Sequence, residues 1–523
     1  MTVPGATRGV EAVAFLGGPI LTMDSGPAEV VVVRGETIAA VGGRDLLLGF
    51  PDAQRVDLGG RTLVPGFIDA HNHLSIAALH PRFGDATGVE DRDSLVRAIH
   101  LQAAAEPEAE WIRLWGWNET KTQFVPTRAD LDAAAVDRPI VLAHYSLHQC
   151  VASSAALDRL GIGRTSTDPA SGEIGRDATG APNGLLIERA WSDAHARSLA
   201  AYTNPDRWAD HIAARAKILI REGIVAVHDA ACPPHAEAVY QHLARLDSLP
   251  VSVLVMPHSP QLLTNDAGPR LTGPPTGEGD HRLRVGPMKL FADGGVAIAL
   301  DVRLGGHRVQ YGYVMEDLEA HARRATRAGF RIAVHAIGNL GVEHTISAFQ
   351  AVRQETGDRD HRFRIEHAGV TGLRHWRDLA DLHAVAVVQP GFVEHIGCQT
   401  GGLTFDDDHW LAFKGLADAG VTLAGSSDDP CAPFPPLWCA TKGASRTTST
   451  GIRLEPDQGV TFEDWLAAYT TGAARAGGQE NERGRIAAGL RADLVVLQGS
   501  AVDARVSETW ISGRVAYRAP AGP

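Results

Sequence analysis

The chain has 523 residues, 44% hydrophobic and 21% charged, a globular composition long enough for a large domain plus a smaller one. Its formal net charge of −13 argues against a surface for nucleic acid or anionic lipid. The five cysteines (Cys150, Cys232, Cys398, Cys431, Cys439) are scattered and form no CxxC, which excludes a disulfide framework and a zinc ribbon.

The opening stretch MTVPGATRGVEAVAF lacks a basic start followed by a long apolar core, so no signal peptide is expected. No apolar run reaches the roughly 18 residues that a membrane span needs. A reduced, cytoplasmic location is the expectation. Residues 12–61 read as short antiparallel strands and turns: Val30-Val31-Val32-Val33, an Arg34-Gly35 turn, then Thr37-Ile38-Ala39-Ala40-Val41. The far end has matching material, with runs over 492–497, 506–511 and 514–517 and a Ser512-Gly513 turn. Both ends are expected to form one small β-sandwich domain, 1–64 with 479–523, because chain ends tend to meet.

Between them the pattern alternates. Apolar runs lie at 63–68, 140–142, 224–227, 251–255, 288–291, 332–334, 363–365, 384–388 and 421–424. Helical patterns over 208–222, 316–328 and 410–419 each stop at a glycine. That supplies enough units for an α/β fold, a (β/α)8 TIM-type barrel over 65–478. Residues 76–206 are long for a set of loops and include WIRLWGWN, with three tryptophans; they are expected to form an inserted, lid-like subdomain over the barrel mouth.

The chain is organised around the stretch 63–74, LVPGFIDAHNHL, an apolar run that ends in two histidines two positions apart. On an extended chain such residues face the same side, so His71 and His73 can supply half of a zinc-type ligand set. Other runs end or carry similar groups: Lys289 in MKLFADGG, His335 in AVHAIGN, His367 in RIEHA, and Asp428 in GSSDDP. Barrel enzymes place their chemistry at these strand ends, and coincidence is a poor account of the ordered set.

With WGWN, GIVAVHDA, VVQPGF and GRIAAGLRADLVVL added, the motifs resemble the amidohydrolase superfamily, specifically amidohydrolase family 3, the YtcJ-like group, over about residues 63–497. The resemblance implies a metal-dependent hydrolase that cleaves a C–N bond (amide, N-formyl or related) of a small molecule by a metal-bridged hydroxide. It implies that His71, His73 and Asp428 hold the more buried ion and that His335 and His367 hold the second. Lys289, carboxylated on its amine, would bridge the two. The ions would be divalent, zinc by preference, one or two per chain. Asp428 would also move the proton from the nucleophile to the leaving nitrogen. His148 matches a pocket position and is expected to steady the oxyanion. Trp115, Trp117 and Gln389 are further pocket candidates. A homodimer is the expected assembly, with no nucleic-acid or membrane partner. Three positions depart from the group's pattern: Ser153, Gly295 and Asn339. The sequence leaves open an esterase, lactonase or carbamate hydrolase on the same site, and a catalytically silent metal-binding barrel.

Overall fold

The computed structural model describes residues 12–24, 26–259, 261–499 and 503–520. Most of the N-terminal stretch considered for a leader, residues 1–11, lies outside the described residues. Among them, no helix is long and apolar enough to cross a membrane.

The chain is α/β, and its centre is parallel. One arc has the order Leu283–Val285, Ser252–Pro257, Ile224–Cys232, Phe67–Asn72. The second has the order Met288–Phe291, Ile332–Ala336, Arg364–His367, Val385–Val388, Thr422–Gly425. Every pairing within both arcs is parallel. Most of these segments are buried along their whole length, the condition under which a strand reads as a continuous apolar run. Past the strand ends the two arcs touch: the Asp428 N–H donates to the His71 carbonyl, and the His73 N–H to the Asp429 carbonyl, both at 2.8 Å.

Amphipathic helices cover the outside. Pro205–Arg221 buries Trp208, Ile212 and Leu219 and is followed by Gly223 at φ +80, a left-handed turn that a side chain would strain. Asn339–Thr356 buries Val342, Ile346 and Phe349, and the Phe349 ring stacks on Phe363 at 4.5 Å. The expected helix 410–419 is shorter, Phe413–Asp418, because Trp410 pairs with Val370 in a two-stranded ladder.

The run 140–142 does not belong to the parallel centre. Strand Ile140–His144 lies in a separate six-stranded sheet with Ile112–Trp117, Gln149–Ala152 and Pro182–Glu188. Its apolar run is long enough for a buried strand in either place, and period alone does not say which sheet it joins. The two chain ends form two further four-stranded sheets, built from residues 12–57 and from Thr62–Pro65 with 494–518. They share one core, in which the Phe15 and Trp510 rings meet edge-on at 4.9 Å. The first sheet is mixed rather than antiparallel, since Ala12–Leu16 and Gln54–Asp57 run parallel.

Gly66 is the crossing point. Thr62–Pro65 pairs with Leu494–Gln498, the Gly66 N–H donates to the Asp493 carbonyl at 2.8 Å, and the next residue begins the central strand. A Cβ on Gly66 would stand 2.6 Å from both Val225 γ-carbons. Gly66→Ala is therefore expected to destabilise the protein by about 1–3 kcal/mol in denaturant unfolding. In a Val225→Ala background the cost should shrink, and an equal cost in both backgrounds would refute the clash.

Candidate metal centre

Five central strands bring their ends to one cavity that opens to solvent, and their side chains reach into it together: His71, His73, Lys289, His335, His367 and Asp428 all line it. Local backbone makes this possible where alternation would not. In Arg364–His367, the alternating residues Arg364 and Glu366 face the strand that carries His71. His367, one residue on, should face away. It instead adopts φ +73 at the strand end and turns into the cavity. Asp428 has φ +62 just past Thr422–Gly425. Non-glycine residues in this region cost of order 1–3 kcal/mol each and persist only where the surroundings enforce them.

The histidines are held by their other nitrogens. His71 Nδ1 lies 2.6 Å from Glu366 Oε2, and His73 Nδ1 donates to the Ala230 carbonyl at 2.8 Å. A neutral imidazole has a single N–H, so both Nε2 atoms are left with lone pairs. Both point at the same oxygen: Asp428 Oδ1 lies 3.4 Å from His71 Nε2 and 3.0 Å from His73 Nε2. Lone pairs facing a carboxylate oxygen repel unless a cation or a proton sits between them. Ligand atoms of these three buried residues all fall within 4.8 Å of one another, a spacing that fits one metal ion.

The electrostatics favour the forms that bind metals. Burial lowers His71 to about 4 and His367 to about 3, and it pushes His335 well down, with neighbouring cations acting the same way. These imidazoles are neutral at pH 7, as ligation requires. Burial would raise the Asp428 carboxyl, but His73, His71 and His367 outweigh it and hold it below the usual carboxylate range. His73 is the exception, since burial depresses it and Asp428 more than reverses that. Lys289 is buried, its Nζ finds no hydrogen-bond partner, and burial lowers it to about 8 despite the nearby carboxylates. An orphaned buried amine next to this cluster fits a group completed by something further, an ion or a carboxylate on the amine itself.

Gln389 does not line the cavity. Its Oε1 lies 2.9 Å from His367 Nδ1, so it stands behind that ring and orients it. Nor do Trp115 and Trp117. The Ile112–Trp117 strand lies inside the six-stranded sheet, where the Trp117 Nε1 donates to the Phe124 carbonyl and Trp115 packs on His80 at 4.4 Å. His148 does line the cavity. Its Nδ1 lies 2.6 Å from Glu188 Oε2, and Glu188 also accepts N–H bonds from Val296 and Ala297.

The three departures have local causes. A Cβ on Gly295 would stand 2.4 Å from the His148 ring, so a serine has no room there. Ser153 caps helix Ser154–Leu160 by accepting the Ala156 N–H. Asn339 bonds the Asp301 backbone in both directions and anchors the hairpin that starts at Leu300.

Sequence reasoning missed the support behind the ligands. Glu366 is fully buried and takes two hydrogen bonds from Arg364, at 2.9 and 3.1 Å, in addition to His71. Asp69 accepts the Ser427 N–H at 2.9 Å and the Ser427 hydroxyl at 2.5 Å, which ties the first strand to the segment carrying Asp428. The signal for Glu366 was present, an acid one residue before a ligand histidine, but nothing in the sequence shows that its partner is His71. Glu366→Ala leaves Arg364 buried without a counter-charge and should cost about 3–5 kcal/mol in denaturant unfolding. Arg364→Met with Glu366→Leu should recover much of that, and a single-mutant cost below about 1 kcal/mol would contradict the pairing.

A family model described as "Amidohydrolase family" matches residues 54–517. An N-substituted formamide deformylase from Arthrobacter pascens is 31% identical, over 94% of this chain and 95% of its own length. The putative amidohydrolase YtcJ from Bacillus subtilis (strain 168) is 28% identical, over 96% and 98%. Among solved structures, an uncharacterised metal-dependent hydrolase from Pyrococcus horikoshii OT3 superposes with a TM-score of 0.72 at 21% identity, covering 94% of this chain and 98% of that one.

Proposed function

The chain belongs to the amidohydrolase family, and from that premise we propose that it hydrolyses a carbon–nitrogen bond of a small molecule with a divalent metal centre held by His71, His73, Lys289, His335, His367 and Asp428. The observation that carries the reading is the convergence of His71 Nε2, His73 Nε2 and Asp428 Oδ1, three buried ligand atoms close enough to share one cation. The deformylase relative is named for N-substituted formamides, so a formamide is the first bond to test.

A divalent cation, zinc by preference, would supply acidified water and polarise a carbonyl oxygen. The chain's residues do the rest. Asp428, ionised and beside His73, is placed to take a proton from the attacking water and return it to the leaving nitrogen. Glu366, the Ala230 carbonyl and Gln389 fix three imidazole rings, which keeps their free nitrogens aimed at the cavity. His148, oriented by Glu188, faces the same space and would steady charge developing on the carbonyl oxygen when its second ring nitrogen also carries a proton. On the same reading the parallel strands close into a (β/α)8 barrel over 65–478, with 1–64 and 479–523 as the sandwich and 76–206 as the lid-like insertion. A cytoplasmic homodimer is the assembly we propose, and sedimentation of the purified protein checks it.

Metal analysis should return close to two divalent ions per chain. His71→Ala and Asp428→Ala should each lower turnover of an N-substituted formamide by about 10³-fold or more while circular dichroism shows the fold intact. Full activity in metal-free Asp428→Ala would end the proposal.

Carbon dioxide adds only to the neutral form of Lys289. That form grows as pH rises through about 8, the value to which burial lowers the amine. Reloading the metal-free protein in bicarbonate should therefore be more complete at pH 9 than at pH 6.5, with a lysine carbamate signal by ¹³C NMR. Equal loading at both pH values with no carbamate would rule out carboxylation.

A further inference from the structure

Beyond the ligand cluster the apolar parts of the cavity wall come from two different cores, and the polar residues among them, such as Tyr145, Ser146, Gln399 and Thr400, are uncharged. Leu147, Leu262 and Leu263 belong to the core under the six-stranded sheet. Phe392, Ile396 and Leu411 pack with the core of the parallel strands. Phe392 lies parallel to the His367 ring at 6.0 Å, so the apolar wall begins directly at the proposed ligands.

Charge is absent from these walls. Among the described residues, Asp428 and Lys289 are the sole carboxylate and the sole ammonium or guanidinium group in the lining, and both belong to the ligand cluster. The ions just outside are engaged. Glu394, on the helix Phe392–Thr400, pairs with Lys442 at 2.6 Å and accepts the Ser449 N–H at 2.8 Å. Arg215 pairs with Asp429 at 2.6 Å, and Glu188 with His148. At the rim the Gln399 amide donates to the Tyr145 hydroxyl at 2.5 Å. His395 is different: its Nδ1 is buried with no partner, and its ring lies 5.8 Å from that of Tyr145.

A charged group seated between these walls loses its hydration and meets no counter-ion, whereas an apolar group of the same size gains from burial. We propose that the non-reacting part of the substrate is uncharged and apolar, an aryl or branched alkyl group held between Leu147, Leu262 and Leu263 on one side and Phe392 and Ile396 on the other. The inference takes the scissile carbon–nitrogen bond from the proposed function and adds the class of group attached to it.

Three matched ligands test it on the metal-loaded protein: N-[2-(4-methylphenyl)ethyl]formamide and its 4-carboxylate and 4-aminomethyl analogues. Calorimetry should show the methyl compound binding at least tenfold tighter than either charged one. If the bond is cleaved, kcat/KM should follow the same order. A margin below tenfold for either charged analogue, or no binding of any of the three, overturns the inference. Tight binding of the methyl compound without cleavage counts against the formamide bond and leaves the neutral pocket standing. Ile396→Arg should raise affinity for the carboxylate by tenfold or more and weaken the methyl compound, and an unchanged order of preference would also overturn the inference.

Discussion

The Glu366 carboxylate, buried between Arg364 and His71, is the contact on which the site depends. It accepts from Nε and Nη2 of Arg364 on one side and from the His71 Nδ1 on the other. Arg364 in turn donates to the Ala70 carbonyl at 2.7 Å, so one guanidinium joins the Arg364–His367 strand to the Phe67–Asn72 strand in the protein interior. Such a triad is weak evidence of stability for its own sake, because taking two charges out of water costs about as much as their attraction returns. Its value here is geometric: it fixes which His71 nitrogen carries the proton and therefore which one faces the cavity.

The same logic repeats around the site. Asp69 binds Ser427, the neighbour of Asp428, and so sets the distance between the first and last strand ends. The Ala230 carbonyl orients His73, and Gln389 orients His367. Each proposed ligand histidine on the first strand is thus held by a group from a different element. Beyond the paired stretches of the parallel strands, unpaired backbone leaves room for φ values such as those of His367 and Asp428. The cost of the His367 and Asp428 conformations is carried by the surrounding hydrogen bonds.

Past the ligands the walls carry leucine, isoleucine and aromatic side chains contributed by two hydrophobic cores, with uncharged polar groups such as Tyr145 and Gln399 at the rim. The titratable groups are therefore concentrated at the floor, and of the two apolar walls one belongs to the core of the strands that carry them and the other to the core under the six-stranded sheet.

Much of this was legible in the sequence. Burial on both faces forces the central strands into apolar runs, and His, Lys and Asp stand at or near their ends, so the α/β pattern and six of the residues that line the cavity could be read from periodicity and residue type. Motif resemblance also identified the family. Other features depend on partners hundreds of residues away. The run 140–142 looked like one more central strand, because an apolar segment carries no mark of which sheet it joins. Trp115, Trp117 and Gln389 looked like pocket residues, because residue type does not show whether a side chain faces a cavity or packs behind it. Asp69 carried no signal of its role, and Glu366 only its place beside His367, since a buried acid is defined by the groups that bond it. Local composition determined the elements and the ligand chemistry, whereas only the tertiary structure decided which atoms converge, because convergence is set by contacts between residues far apart in the chain.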